Sequence, residues 1–253
     1  MESKIKLFGF NNLTKSLSFN IYDVCYAQSR HEQQEYMAYI DDQYNADRLT
    51  RILCDVAEMI DATVLNVSKF DYDPHGASAT LLIAEEPPVA GTCKTYLAHL
   101  DKSHVTVHSY PEYHPENHVT TFRVDIDMAT CGEITPLSTL DYLIGSFDSD
   151  IITLDYKVRG FTRSVDGTKL FIDHKITSIQ DYINADTLAK YNTRDINVCD
   201  ANLFHTKMLK NVVNLDDHLF NTDDCAFSPE EQQLIKERLH REMIEIFSGL
   251  NIH

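Results

Sequence analysis

An Asp-Gly pair in Val165-Asp166-Gly167-Thr168 sits between two strand-like stretches, residues 150–159 and 169–176. That pair favours the tight turn of a hairpin, and a hairpin makes its two strands antiparallel neighbours. The same arrangement recurs upstream. Residues 63–70 and 77–84 flank a turn at Asp73-Pro74-His75-Gly76, and residues 95–100 and 105–109 flank Asp101-Lys102-Ser103. Tyr110-Pro111-Glu112 ends the last of these, and residues 119–127 supply a further strand. Strands joined in this way predict an antiparallel sheet rather than parallel βαβ units.

The helical signals stand apart from the hairpins. Over residues 45–60, Leu49, Ile52, Leu53, Val56 and Ile60 recur at helical spacing and form one apolar stripe. Thr135-Pro136 opens a second helix, with Thr as N-cap, Pro at the first helical position, and Leu137, Leu140, Ile144 and Phe147 on one face. Ser228-Pro229-Glu230-Glu231 is a capping box opening a last helix, whose buried face is Ile235, Leu239, Met243, Ile246 and Phe247. Residues 85–91 read as a loop, since Pro87 and Pro88 cannot donate to a ladder. Residues 177–226 carry only weak signals. The predicted class is α+β.

The 253 residues are 43% hydrophobic, enough for a sizeable core in one large domain or two small ones. Lys and Arg number 22 against 39 Asp and Glu, a formal charge of −17. This disfavours nucleic acid and anionic membrane surfaces as partners. It suits a cationic small substrate, although a solvated surface alone accounts for it. No apolar run approaches the ~20 residues of a transmembrane helix. The first residues do not resemble a signal peptide, so the expectation is a soluble, cytosolic protein. The six cysteines (Cys25, Cys54, Cys93, Cys131, Cys199 and Cys225) are scattered, with no C-x-x-C pair. That predicts mostly small core residues rather than disulfides or a structural zinc site.

Reactive side chains crowd residues 101–116: Lys102, Ser103, His104, His108, Glu112, His114 and Glu116, with Cys131-Gly132 shortly after. A serine with histidines and a cysteine nearby suits nucleophilic chemistry. Yet Ser103 lacks the G-x-S-x-G elbow, and no H-E-x-x-H metal motif occurs. Taken singly, each residue has a plainer reading. Cys131 reads as a core cysteine and His108 as a strand histidine. Glu112 and Glu116 read as a solvated loop face, Arg159 and Arg163 as a charged strand edge. His104, His114, His118 and Asp101 gain no role.

The run Ala98-His99-Leu100-Asp101-Lys102-Ser103-His104-Val105-Thr106-Val107-His108-Ser109-Tyr110-Pro111-Glu112 resembles the processing segment of bacterial S-adenosylmethionine decarboxylase proenzymes, in their longer form typical of Gram-negative bacteria. The likeness extends to Phe8-Gly9-Phe10-Asn11-Asn12-Leu13-Thr14-Lys15-Ser16-Leu17-Ser18-Phe19, Gly76-Ala77-Ser78, Thr130-Cys131-Gly132, Val158-Arg159-Gly160-Phe161-Thr162-Arg163 and Phe204-His205-Thr206-Lys207-Met208. It therefore covers nearly the whole chain. One departure is visible: residues 87–96, just before the processing site, are fewer than that form carries.

The resemblance implies an α+β sandwich, an antiparallel β-sheet covered by α-helices, in a single domain over residues 1–253. It also implies self-cleavage at Lys102–Ser103 into a small chain, 1–102, and a large chain, 103–253. The Ser103 hydroxyl would attack the preceding carbonyl and turn the amide into an ester. Loss of the Ser103 α-proton would then expel the small chain, and the dehydroalanine left behind would hydrolyse to a pyruvoyl group. By the same likeness, His108 is the proton acceptor in processing. The pyruvoyl forms a Schiff base with the substrate amine, and Cys131 is the proton donor in catalysis. The implied reaction is decarboxylation of S-adenosylmethionine to the aminopropyl donor of spermidine biosynthesis. The implied assembly is a homo-oligomer, a tetramer of cleaved pairs activated by Mg2+, although no metal site has readable spacing. Two alternatives stay open: a pyruvoyl-dependent decarboxylase of arginine or ornithine, and a non-catalytic regulatory partner of an active decarboxylase.

Overall fold

The computed structural model describes residues 7–8, 11–84 and 103–252. In chain order the elements are β1 (Thr14–Tyr26), α1 (Arg30–Gln43), α2 (Ala46–Met59), β2 (Thr63–Asp71), β3 (Ala77–Ala84), β4 (Ser103–Tyr113) and β5 (Val119–Cys131). There follow α3 (Leu140–Ser146), β6 (Ile151–Arg159), β7 (Thr162–Arg163), β8 (Lys169–Leu170), α4 (Ala185–Leu188), β9 (Tyr191–Asp195), β10 (Leu203–Lys210), α5 (Leu215–His218) and α6 (Pro229–Ser248). Eight strands form one sheet in the order β2-β3-β4-β5-β1-β6-β10-β9. Every neighbouring pair in it is antiparallel.

Alternation along the strands decides the two faces. Leu17, Phe19 and Ile21 of β1, Val105 and Val107 of β4, and Val124, Ile126 and Met128 of β5 turn to one face and are buried. There they meet Leu49, Leu53 and Val56 of α2, Tyr36, Met37 and Ile40 of α1, and Leu140 and Leu143 of α3. Each such aliphatic side chain contributes about 1.5–3 kcal/mol on burial. On the opposite face, Val24, Ile151 and Leu209 lie under Ile235, Leu239 and Met243 of α6. The sheet thus has α1–α3 on one side and α6 across one end of the other. This is the α+β sandwich that the hairpin and helix pattern leads one to expect.

The stripe over residues 45–60 forms α2, capped by Asn45. The Ser228–Glu231 capping box opens α6, which Gly249 ends at φ 70°. Residues 135–147 start more tightly than expected: Thr135 makes no side-chain cap bond, and Pro136–Thr139 is a 3₁₀ turn ahead of α3. Three strand expectations need correction. The stretch 105–109 is the middle of a longer strand, and Ser103 belongs to β4 rather than to a turn before it. That strand continues through Pro111 to Tyr113. Beyond Ser109 it has only β5 as a partner, so its free side needs no donor. The stretch 169–176 reduces to β8, which pairs with β7 in a separate two-stranded ribbon around the Asp166-Gly167 turn. Beyond it, Asp173 turns inward to a buried lysine instead of continuing a ladder. The expected strand 95–100 lies outside the described residues.

A buried ion pair ties the C-terminal third to the sheet. Asp150 Oδ2 accepts the Val24 N–H at 2.9 Å, and Oδ1 lies 3.0 Å from His218 Nε2 and 3.1 Å from Lys210 Nζ. His218 Nδ1 donates to the Asn214 carbonyl at 2.6 Å, so both ring nitrogens face acceptors and the ring is held as an imidazolium. Burial works against the charge on both groups. The Asp150 carboxylate nevertheless raises His218, and His218 together with Lys210 holds Asp150 below the usual carboxylate range.

Because the folded pKa of His218 is raised, its contribution to stability is complete below the unfolded histidine value of about 6.5 and is lost as pH rises through the folded value. Denaturant unfolding between pH 6 and 9 should therefore show falling stability, and His218→Gln should flatten that slope while costing about 3 kcal/mol at pH 6. At Gly76 (φ +93°) an added Cβ would come within 2.5 Å of the Ser109 carbonyl oxygen. Gly76→Ala should lower stability by about 2 kcal/mol or more, read as a shifted urea midpoint.

Candidate active site

β4 and β5 bring Ser103 and Cys131 together at one corner of the sheet. Ser103 opens β4 opposite Ile83 of β3 and is 3% exposed. Cys131 closes β5 opposite Thr14, the first residue of β1. The Cys131 N–H donates to Ser103 Oγ at 3.2 Å, so the hydroxyl is held by a backbone donor. The strand pleat turns Ser103 towards the helix-covered face and the half-buried Cys131 side chain towards the other. On that second face a groove of about 560 Å³ runs past Ser16, His104, Asp127, Asp155 and Arg159.

His108 does not join this corner within one chain. It lies five residues along β4, about 16 Å from Ser103, on the opposite face of the strand. Its Nδ1 is 3.1 Å from the Tyr72 hydroxyl, and its ring stacks on Tyr110. The rest of the reactive stretch disperses in the same way. His104 faces the groove. His114 Nδ1 accepts the Glu116 N–H in the turn after β4, and His118 takes a left-handed φ of 55° just before β5. Glu112 is exposed near the end of β4. Arg159 lines the groove, but Arg163 turns away to donate to the Gly167 carbonyl at 2.8 Å. Asp101 and Lys102 lie outside the described residues, as do residues 87–96.

A further group assembles here that the sequence pattern does not single out. Gly132, at φ 79°, follows Cys131. Its carbonyl accepts from Lys15 Nζ at 2.9 Å and from Asn11 Nδ2 at 3.1 Å. Both donors also reach Asp173 Oδ2, at 2.7 and 2.8 Å. Asp173 Oδ1 is 2.8 Å from His174 Nδ1, and His174 Nε2 is 3.1 Å from the Tyr156 hydroxyl. Burial alone would raise the Asp173 carboxyl. The hydrogen bonds from His174, Lys15 and Asn11, with the Lys15 charge, hold it well below the usual carboxylate range. The available signal was Lys15 itself, a charge in the inward phase of Leu13, Leu17, Phe19 and Ile21, but it shows only once β1 is known to be a strand.

No set of three or more His, Cys, Asp or Glu side chains suited to a metal occurs among the described residues. No helix among them is long and apolar enough to cross a membrane. Cys25, Cys54, Cys131, Cys199 and Cys225 are free thiols. Cys25 is buried, and burial pushes its thiol well up, whereas Cys199 and Cys225 are exposed rather than core residues.

Residues 36–160, which include Ser103, His108 and Cys131, match the family model described as S-adenosylmethionine decarboxylase. The S-adenosylmethionine decarboxylase proenzyme of Clostridium beijerinckii is 62% identical over 268 aligned positions, covering 100% of this chain and 99% of its own. Those of Alkaliphilus oremlandii and Hahella chejuensis are each 59% identical, again over 100% of this chain and 99% of theirs. The 268 positions aligned with the Clostridium protein exceed the 253 residues of this chain by 15, so the relative carries residues that this chain lacks. A solved adenosylmethionine decarboxylase from Aquifex aeolicus covers 59% of this chain and 90% of its own, at 18% identity and a TM-score of 0.35, too slight a likeness to bear on the fold. The protein is thus an enzyme of the carboxy-lyase class. The chain belongs to the S-adenosylmethionine decarboxylase family.

Proposed function

We propose that this chain is a self-cleaving precursor that converts its own Ser103 into a pyruvoyl group and then decarboxylates S-adenosylmethionine, supplying the aminopropyl donor for spermidine synthesis. The observation that carries this reading is the Ser103–Cys131 corner, a buried serine hydroxyl fixed by a backbone N–H, inside a chain about 60% identical to named proenzymes. Cleavage falls between Lys102 and Ser103 and yields chains 1–102 and 103–253. The Ser103 hydroxyl is the nucleophile, and the Cys131 N–H orients it. The ladder would keep the two products together, because β1 lies between β5 and β6 while β3 pairs with β4.

The pyruvoyl group would form at the N-terminal end of β4, from the Cα and Cβ of Ser103, while Oγ leaves with the Lys102 carboxylate. When present, it supplies an electron sink for the electron pair released with carbon dioxide. Cys131, whose side chain shares the face of the groove, delivers a proton to the substrate α-carbon as general acid. The carboxylates of Asp127 and Asp155 along that groove suit a cationic sulfonium substrate.

His108 remains the assigned proton acceptor in processing. Its separation from Ser103 within one chain supports a reading in which a second copy supplies it, as a homo-oligomer would allow. Mg2+ is assigned as an activator on the resemblance alone.

Intact mass of the purified protein should show two fragments joining at 102/103, the larger with a pyruvoyl end, held in one native particle. Ser103→Ala should remain one chain, and a single uncut wild-type chain overturns the proposal. Release of labelled carbon dioxide should be seen with S-adenosylmethionine and not with arginine or ornithine, compared with and without Mg2+. Mixing His108→Ala with Ser103→Ala precursors should restore cleavage of the His108→Ala chain. No cleavage in the mixture removes the second copy from the mechanism.

A further inference from the structure

Resting on the reading of Cys131 as proton donor, we propose that Lys15, with Asp173 and Asn11, is a positioning device that fixes the Cys131-Gly132 turn and through it the thiol. Both peptide groups after Cys131 are tied to the start of the chain. The Gly132 N–H donates to the Leu13 carbonyl at 3.2 Å, and the Gly132 carbonyl accepts from Lys15 and Asn11. The peptide before Cys131 is held too, since the Cys131 N–H donates to Ser103 Oγ. The thiol therefore hangs from a segment anchored on both sides, and Lys15 is the one charged anchor.

Lys15 is an expensive choice for a merely structural contact. Its side chain is 1% exposed, in a strand phase otherwise filled by Leu13, Leu17, Phe19 and Ile21. A buried ion pair costs several kcal/mol of desolvation per ion, and well-packed apolar residues often replace one without loss of stability. An apolar residue here would fill the space but could not donate to the Gly132 carbonyl. Asp173 completes the device. It neutralises Lys15, aligns both donors through one carboxylate oxygen, and is itself held by His174, which reaches Tyr156 of β6. The turn that carries Cys131 is thereby tied to β1, to residues 173–174 and to β6. General acid catalysis demands this kind of fixation, because a misplacement of about 1 Å costs on the order of 100-fold in rate.

The charges give the proposal a signature that loosened packing alone would not. Lys15→Met removes the cation that faces Asp173, leaving that carboxylate beside the turn with only His174 and Asn11, and disfavours the Cys131 thiolate. Asp173→Asn leaves an unbalanced cation and favours it. The two variants should move the thiol in opposite directions.

The test uses the full chain carrying Lys15→Met, Asp173→Asn or Asn11→Ala, and the same substitutions in the uncleaved Ser103→Ala precursor. In the precursor, the pH midpoint of Cys131 alkylation by iodoacetamide, followed by peptide mass, should rise with Lys15→Met and fall with Asp173→Asn. The exposed Cys199 and Cys225 should stay at their parental values. In the cleaved enzyme, Lys15→Met should lower kcat about 10- to 100-fold with KM little changed. Asn11→Ala keeps the ion pair and should lower kcat less. The proposal is overturned if kcat and the Cys131 midpoint stay parental, or if all three cysteines shift together. If Lys15→Met does not fold, Asn11→Ala and Asp173→Asn decide by the same readings. Cys131→Ala separates the two claims: parental kcat there removes the proton-donor role itself, while the alkylation midpoints still report on the device.

Discussion

The central position of β1 is the constraint on which the rest of the molecule depends. It is a 13-residue strand paired along its length with β5 and over most of it with β6. Its alternation sets both layers at once, since Leu17, Phe19 and Ile21 face the helices while Val24 faces α6. It also joins the candidate site and the Asp150 ion pair to the fold. Thr14 opposes Cys131 at one end, and Val24 donates to Asp150 at the other. A residue-long slip of this strand would exchange its two faces and misplace both.

Two buried ion pairs sit on this frame and do different work. Asp150 with His218 and Lys210 stitches α5 and β10 to β1, with both carboxylate oxygens and both His218 ring nitrogens engaged. Lys15 with Asp173 lies at the other end, beside the Cys131-Gly132 turn, where Lys15 divides its hydrogen bonds between Asp173 and the Gly132 carbonyl. The first pair holds elements together. The second holds one turn in place, where a fold alone would be content with an apolar side chain.

The corner at Ser103 shows how a sheet assembles a site from residues 28 positions apart. Antiparallel pairing of β4 with β5 puts the backbone donor of one beside the hydroxyl of the other, and the pleat sends the two side chains to opposite faces. The same pleat disperses residues that look clustered in the sequence. Ser103 and His108 belong to one strand, yet their odd offset of five positions turns them to opposite faces and the rise of the strand keeps them apart in a single chain.

Some of this was decided by the sequence alone. The stripe of α2 and the capping box of α6 each rest on chemistry local to a few residues, and each took the expected form; the Asp166-Gly167 turn formed too, but between the short β7 and β8 rather than between residues 150–159 and 169–176. A missed helix, α1, carried its own capping box at Ser29 and Glu32, but its apolar face is only Tyr36, Met37 and Ile40, too sparse to stand out. The resemblance around Ser103 and Cys131 was also legible, because it lies in the order of residues. Tertiary structure decided what is beside what. Lys15, Asn11 and Asp173 are as much as 162 residues apart, and no period or motif links them. Strand register, burial and the cost of an unpaired charge brought them onto one carbonyl. The order of residues was enough to single out Ser103 and Cys131 as candidates, while only the folded sheet determined that a buried lysine stands behind that cysteine.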